Sequence, residues 1–254
     1  MADALVYVYA VSVAALADTD ELRAVPGVDG APVRVVAGGR LAAVVSSVDP
    51  GRFDEEALRR NLEDLRWLEN ASRAHHGVVE AAGRHHPVAP VRLATIYVDD
   101  DGVRALLAEH AQRFEAALER VSGRIEWGVK GFAVAGRDDE QSEPAPDLGP
   151  GAAYLMRKRA AGDRARTQHR LVREAAEDAH RALTAFAVAS RRYPPQDPRL
   201  TGHHDEMVLN AAYLVEESAS RQFRDAVEQW GVAEVRLQLT GPWAPYSFAV
   251  LEDQ

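Results

Sequence analysis

Residues 136–150, GRDDEQSEPAPDLGP, hold five acidic residues, three prolines and no large apolar side chain except Leu148. That is the composition of a linker. It divides the chain into a first domain over residues 1–136, a linker over 137–150 and a second domain over 151–254. The 254 residues suffice for one large or two small domains, each with a core that needs no staples. There is no cysteine, which excludes disulfides, thiolate metal sites and thiol nucleophiles and fits a cytoplasmic setting.

Periodicity gives the elements on either side. ALVYVYAV (4–11) reads as a buried strand, and residues 33–48 read as a hairpin about Gly38-Gly39. Leu58, Leu62, Leu65 and Leu68 follow helical spacing, which predicts a helix from Asp54 to Gly83. A strand at 90–98, a helix at 103–121 capped by Asp99-Asp100-Asp101-Gly102, and a strand at 124–135 complete the first half. The order β, hairpin, α, β, α, β predicts an α+β unit whose sheet carries helices on one face. After the linker, a helix is expected from Ala152 to about Arg192, then strand 207–216, helix 218–231 and strand 232–241. This is a smaller α+β unit with a long helix. No repeat of fixed period is visible.

The net charge of −9 argues against whole-chain binding to nucleic acid. Residues 151–192 run the other way, with ten basic residues against four acidic ones. Arg157, Lys158 and Arg159 are therefore read as a basic partner surface or a solvated helix. The apolar N-terminal run has no basic residue before it and makes a poor signal peptide, and no stretch is long enough to span a membrane.

Catalytic constellations are missing. The doublets His75-His76, His85-His86 and His203-His204 lack the i, i+4 spacing of a metal site on a helix and are read as solvated or capping. GxSxG and phosphate-binding glycine loops are absent. Neither a metal nor a cofactor is expected.

The C-terminal LTGPWAPYSFAVLE is the most distinctive segment. Pro242 and Pro245 bracket Trp243, followed by Tyr246 and Phe248, and proline's fixed φ makes this stiff extended chain rather than helix. Residues 241–248 (Gly241, Pro242, Trp243, Pro245, Tyr246, Phe248) are expected to form an aromatic clasp, with Trp243 largely buried against the second domain. They act as a final structural element, as a partner-contact surface, or as both.

That segment resembles the C-terminal signature of the gas vesicle GvpF/GvpL family, GPWPPYSF, with Ala244 in place of a proline. Tyr7 and Tyr9 lie in a family-like first strand. Pro90-Val91-Arg92-Leu93-Ala94-Thr95 is similar to the family's PvRFGT, with Leu93 and Ala94 replacing Phe and Gly. Trp127-Gly128-Val129-Lys130, the stretch from Gly151 through Tyr154 and Leu155 to Lys158, and Ala211-Ala212-Tyr213-Leu214-Val215 resemble further family stretches in order. The resemblance implies two α+β domains, the first ferredoxin-like. It also implies a non-enzymatic accessory protein of gas vesicle formation, in the cytoplasm and on the vesicle. Its expected partners are the small hydrophobic shell subunit (GvpA type) and other accessory proteins. The alternatives are an enzyme with an unrecognised site and a regulatory binding module without vesicle partners.

Overall fold

The computed structural model describes residues 4–16, 19–134, 150–196 and 205–249, without the side chains of 150–153, 155 and 157. It divides into two compact units, Met1–Glu126 with Pro242–Gln254, and Trp127–Gly241. The linker predicted at 137–150 lies outside the described residues except Pro150. The C-terminal segment, assigned above to the second domain, groups with the first unit from Pro242 onward.

In the first unit β1 (Leu5–Val13) is followed by the short α1 (Asp20–Arg23), the hairpin β2 (Val33–Gly38) and β3 (Leu41–Val48), then α2 (Pro50–Phe53), α3 (Glu55–Asn61) and α4 (Leu65–Gly83). Next come β4 (Val88–Tyr97), α5 (Asp100–Glu109) and α6 (Ala111–Val121). The sheet order is β2-β3-β1-β4, with β3 and β4 both antiparallel to β1, the split βαβ arrangement of ferredoxin-like folds. The hairpin turns at Gly39-Arg40 rather than at Gly38-Gly39: Gly38 pairs with Leu41, and Gly39 takes φ +65° at the first turn position. Gly38 is needed for closeness instead, since a Cβ there would lie 2.8 Å from Leu107 Cδ1.

Three helical expectations change. The helix predicted over 54–83 is broken into α3 and α4, because Asp64 turns out of the helix and caps α4 by accepting from the Arg66 and Trp67 N–H groups. Leu62 and Leu65, two of the four leucines on the predicted face, are left exposed. The 103–121 helix is interrupted at His110, whose φ/ψ of −107°/18° is not helical. Helices also cover both sheet faces, not one. Tyr7 and Tyr9 face α4, while Val6 and Val8 point the other way and are equally buried, with α5 and α6 packed on the sheet.

The second unit contains β5 (Arg124–Ala133), α7 (Pro150–Thr184), β6 (Ala189–Arg192), β7 (Met207–Glu216), α8 (Ser220–Glu228) and β8 (Val235–Trp243); β5 and β8 reach by a few residues into the first. The helix predicted to Arg192 stops at Thr184, and β6 pairs antiparallel with β7. Pairing supplies ladder partners that a lone helical turn after Thr184 would lack, and the Val188 N–H donates to Leu214 O at 2.8 Å. Val172, Ala175, Ala176, Ala179 and Leu183 form the buried stripe of α7, and Phe223 and Val227 that of α8. The sheet order β6-β7-β5-β8 repeats the first unit's topology: strand, helix, two strands, helix, strand. The two units thus share one arrangement without a repeated sequence.

Candidate functional site

The site is built on β1, where the register shifts between Val8 and Ala10 on both neighbouring strands, leaving Tyr9 as the bulged residue. Tyr7, Tyr9 and Ala10 consequently belong to one core with Phe53, Val78 and Val79. The Tyr9 hydroxyl accepts from the Val28 N–H at 2.8 Å and donates to Ser46 Oγ at 3.0 Å. Gly27 sits under this hydroxyl, and a Cβ there would come within 2.6 Å of Ser46 Oγ and 2.7 Å of the Ala31 carbonyl.

On β4, Thr95 pairs opposite Val8 and Pro90 opposite Ala10, so residues 91–94 loop out of the ladder. Ala94 takes φ +63°, and its N–H donates to the Tyr7 hydroxyl at 3.0 Å. This is the structural content of the Pro90–Thr95 motif: the position where the related pattern carries glycine is a left-handed one.

The Tyr7 hydroxyl lies 3.0 Å from His75 Nδ1. That oxygen also accepts from the Ala94 N–H, so it links the left-handed turn of β4 to the histidine on α4. His76 is half-buried but His75 is only 3% exposed, so the reading of the doublet as solvated or capping is corrected for His75. It stands on the α4 face that also carries Ala71, Val78 and Val79 inward. Burial, opposed by the Val91 backbone and reinforced by His76, pushes its pKa down to about 4. Burial likewise raises the Tyr7 phenol well above its usual range.

The C-terminal segment closes over this histidine pair. The Tyr246 ring stacks at 6.4 Å from His75 and 6.0 Å from His76, and the Trp243 ring meets His76 edge-on at 5.5 Å. Burial, with Glu126 adding, raises the Tyr246 phenol. Residues Tyr246–Ala249 form a short helix, α9, not the extended chain expected there. Pro245 supplies the reason: it stands before the first helical turn, where its missing N–H costs nothing, and its carbonyl accepts from the Phe248 and Ala249 N–H groups. The buried Glu126 carboxylate accepts from the Ser247 N–H at 2.8 Å and its hydroxyl at 2.5 Å, an anion at a helix N-terminus. Pro245 and Phe248 are buried, whereas Gly241, Pro242 and Trp243 are exposed, Trp243 by 43%. The clasp thus rests on Pro245, Tyr246 and Phe248 and packs on the first unit. The expectation of a Trp243 buried against the second domain fails on both counts.

Lys158 and Arg159 are exposed on α7; the Arg157 side chain lies outside the described residues, as do His203 and His204. Among the described residues no group of histidines and carboxylates is placed to hold a metal ion, and no helix is long and apolar enough to cross a membrane. Sequence reasoning missed His75, Ser46 and Glu126. The proximity of Tyr7 and Tyr9 to a helical histidine was a tertiary fact with no local signal.

The sequence matches the family described as "Gas vesicle synthesis protein GvpL/GvpF" over residues 5–250. The chain belongs to this family. It is 42% identical over 231 residues to gas vesicle protein L of Streptomyces sp. (strain CB03234), covering 90% of this chain and 87% of that one. Gas vesicle protein F of the same strain is 28% identical over 230 residues, covering 85% and 87%. In fold, the chain is similar to the crystal structures of GvpF from Anabaena sp. PCC7120 (TM-score 0.67, 18% identity, 98% of each chain) and from Microcystis aeruginosa (TM-score 0.64, 18% identity, 98% and 100%). Membership gives the protein a role in gas vesicle formation and an association with gas vesicles.

Proposed function

We propose that this GvpL/GvpF-family protein is a non-catalytic, L-type accessory protein that assists assembly of the vesicle shell in the cytoplasm. Family membership along nearly the whole chain carries the reading, and the higher identity to protein L than to protein F of one strain favours the L type. Its work is to hold the small hydrophobic shell subunit (GvpA type) before assembly and to meet other accessory proteins. A shell subunit that buries an apolar face only in the finished wall needs a soluble holder beforehand. The rim Gly241, Pro242 and Trp243 is the contact we assign to it: an apolar ring and a proline left in solvent on a segment anchored by Pro245, Tyr246 and Phe248. The test is co-purification of the full chain with the shell subunit, alongside complementation of a vesicle-forming host deleted for its own L-type protein. Restored vesicles, co-purification, and loss of co-purification in Trp243→Ala are expected. Vesicles restored without any capture of the shell subunit overturn the holder role, and failure to restore them overturns the L-type assignment.

A further inference from the structure

Among the described residues, the N-terminal half of α7 buries almost no side chain. Over residues 154–170 every described side chain is exposed except the half-buried Gln168, and the first buried residue is Val172. That length is about 25 Å of helix at ~1.5 Å per residue. An isolated helix of this size is marginal in water, and one that packs no apolar face gains nothing from tertiary burial. Its charge makes matters worse. Arg157, Lys158, Arg159, Arg164, Arg166 and Arg170 stand against Asp163 alone, a net +5, which leaves −14 on the rest of a chain whose total is −9. Among the described residues only Arg166 is paired, with Asp163 at 3.7 Å. Tyr154 and Met156 lie on the same stretch, 59% and 54% exposed.

The first unit presents the complementary chemistry. At the corner between α3 and α4, Leu62 is 44% exposed and Leu65 79%, the largest exposure of any large apolar side chain described. Residues 54–69 around them hold six acidic residues against three arginines; Glu55, Glu56 and Glu69 pair with Arg59, Arg60 and Arg73 along their helices but stay exposed. Glu63, beside Leu62, is exposed and has no ion-pair partner among the described residues.

We infer that the basic half of α7 docks on the α3–α4 corner of a second copy of this chain, its exposed Met156 against Leu62 and Leu65, and Arg159 and Arg164, which flank Met156 on the helix surface, against the acidic rim. Two α7 arms cannot serve each other, since each carries +5. The contact is therefore heterologous, patch to different patch, and each pair keeps one free arm and one free corner, so association continues into rings or chains. This inference stands independently of the vesicle role proposed above.

The experiment uses the purified full chain, with mass followed by light scattering after gel filtration, or by sedimentation, across a micromolar concentration series. In low salt the weight-average mass rises to at least twice that of the monomer, and high salt reverses the rise. Arg159→Glu/Arg164→Glu and, separately, Leu65→Glu each stay monomeric, with wild-type circular dichroism because all three residues are exposed. Mixed in equal amounts, the two variants form a one-to-one dimer and nothing larger, because only one intact arm and one intact corner remain to meet. A wild type that stays monomeric in low salt overturns the inference. So does either variant that associates like wild type, or a mixture that fails to pair.

Discussion

Lowering the pH tests the buried histidine directly. His75 has a folded pKa of about 4 against 6.5 for the free side chain. Between those values the unfolded chain takes up a proton that the folded chain refuses, so stability falls as pH falls. The contribution is fully present above pH 6.5 and is lost progressively as pH drops toward 4. By linkage the loss is about 2 kcal/mol at pH 5 and about 3 kcal/mol once the folded pKa is reached. That is a large fraction of a typical stability of ~5–15 kcal/mol. Other groups titrate in the same range, so the comparison is with His75→Gln, which cannot take up the proton and still offers Tyr7 a hydrogen-bond partner. Urea unfolding of both proteins at pH 7.5 and at pH 5 gives four free energies. The wild type should lose about 2 kcal/mol more than the variant between the two pH values. Parallel pH profiles would show that His75 is not held neutral by its burial between Tyr7 and Tyr246, and the reasoning fails.

Ala94→Gly should stabilise the protein by about 1 kcal/mol, read from the urea midpoint, because Ala94 holds φ +63°. Trp243→Ala should cost only about 1–2 kcal/mol, less than the ~3–5 of a buried tryptophan, since its ring is 43% exposed. A loss above that range in thermal or urea unfolding would mean the ring is buried after all. Glu126→Ala should cost about 1–3 kcal/mol by leaving the Ser247 N–H and hydroxyl without their acceptor, and hydrogen exchange of the Ser247 amide should speed up. Gly27→Ala should destabilise by about 1–3 kcal/mol through contact with Ser46 Oγ and the Ala31 carbonyl, whereas Gly77→Ala, with open space at its Cβ, should not.

Much of the local structure was legible in the residues. β-Branched and aromatic residues marked β1, alternation marked β8, the glycine pair marked the β2–β3 hairpin, and Asp99 announced its helix by capping Gly102. These signals are local, since a cap or a period is settled within one turn. The family resemblance was also carried by short motifs, above all the C-terminal one. What the linear pattern could not contain were decisions made between distant segments. Leucine spacing continued through residues 58–68, but Asp64 gained more by capping α4 than by continuing α3. Residues 189–192 had helical neighbours, yet they became a strand because β7 offered a free edge. The same strand order in both units is a property of ladders, not of any repeated residue. His75 and His76 are adjacent in sequence but have different fates, because only His75 turns toward the bulge that Tyr9 makes in β1, and Tyr246 seals it from a place 171 residues further along the chain. Burial depends on which surfaces meet, and that is fixed only when the whole chain has packed.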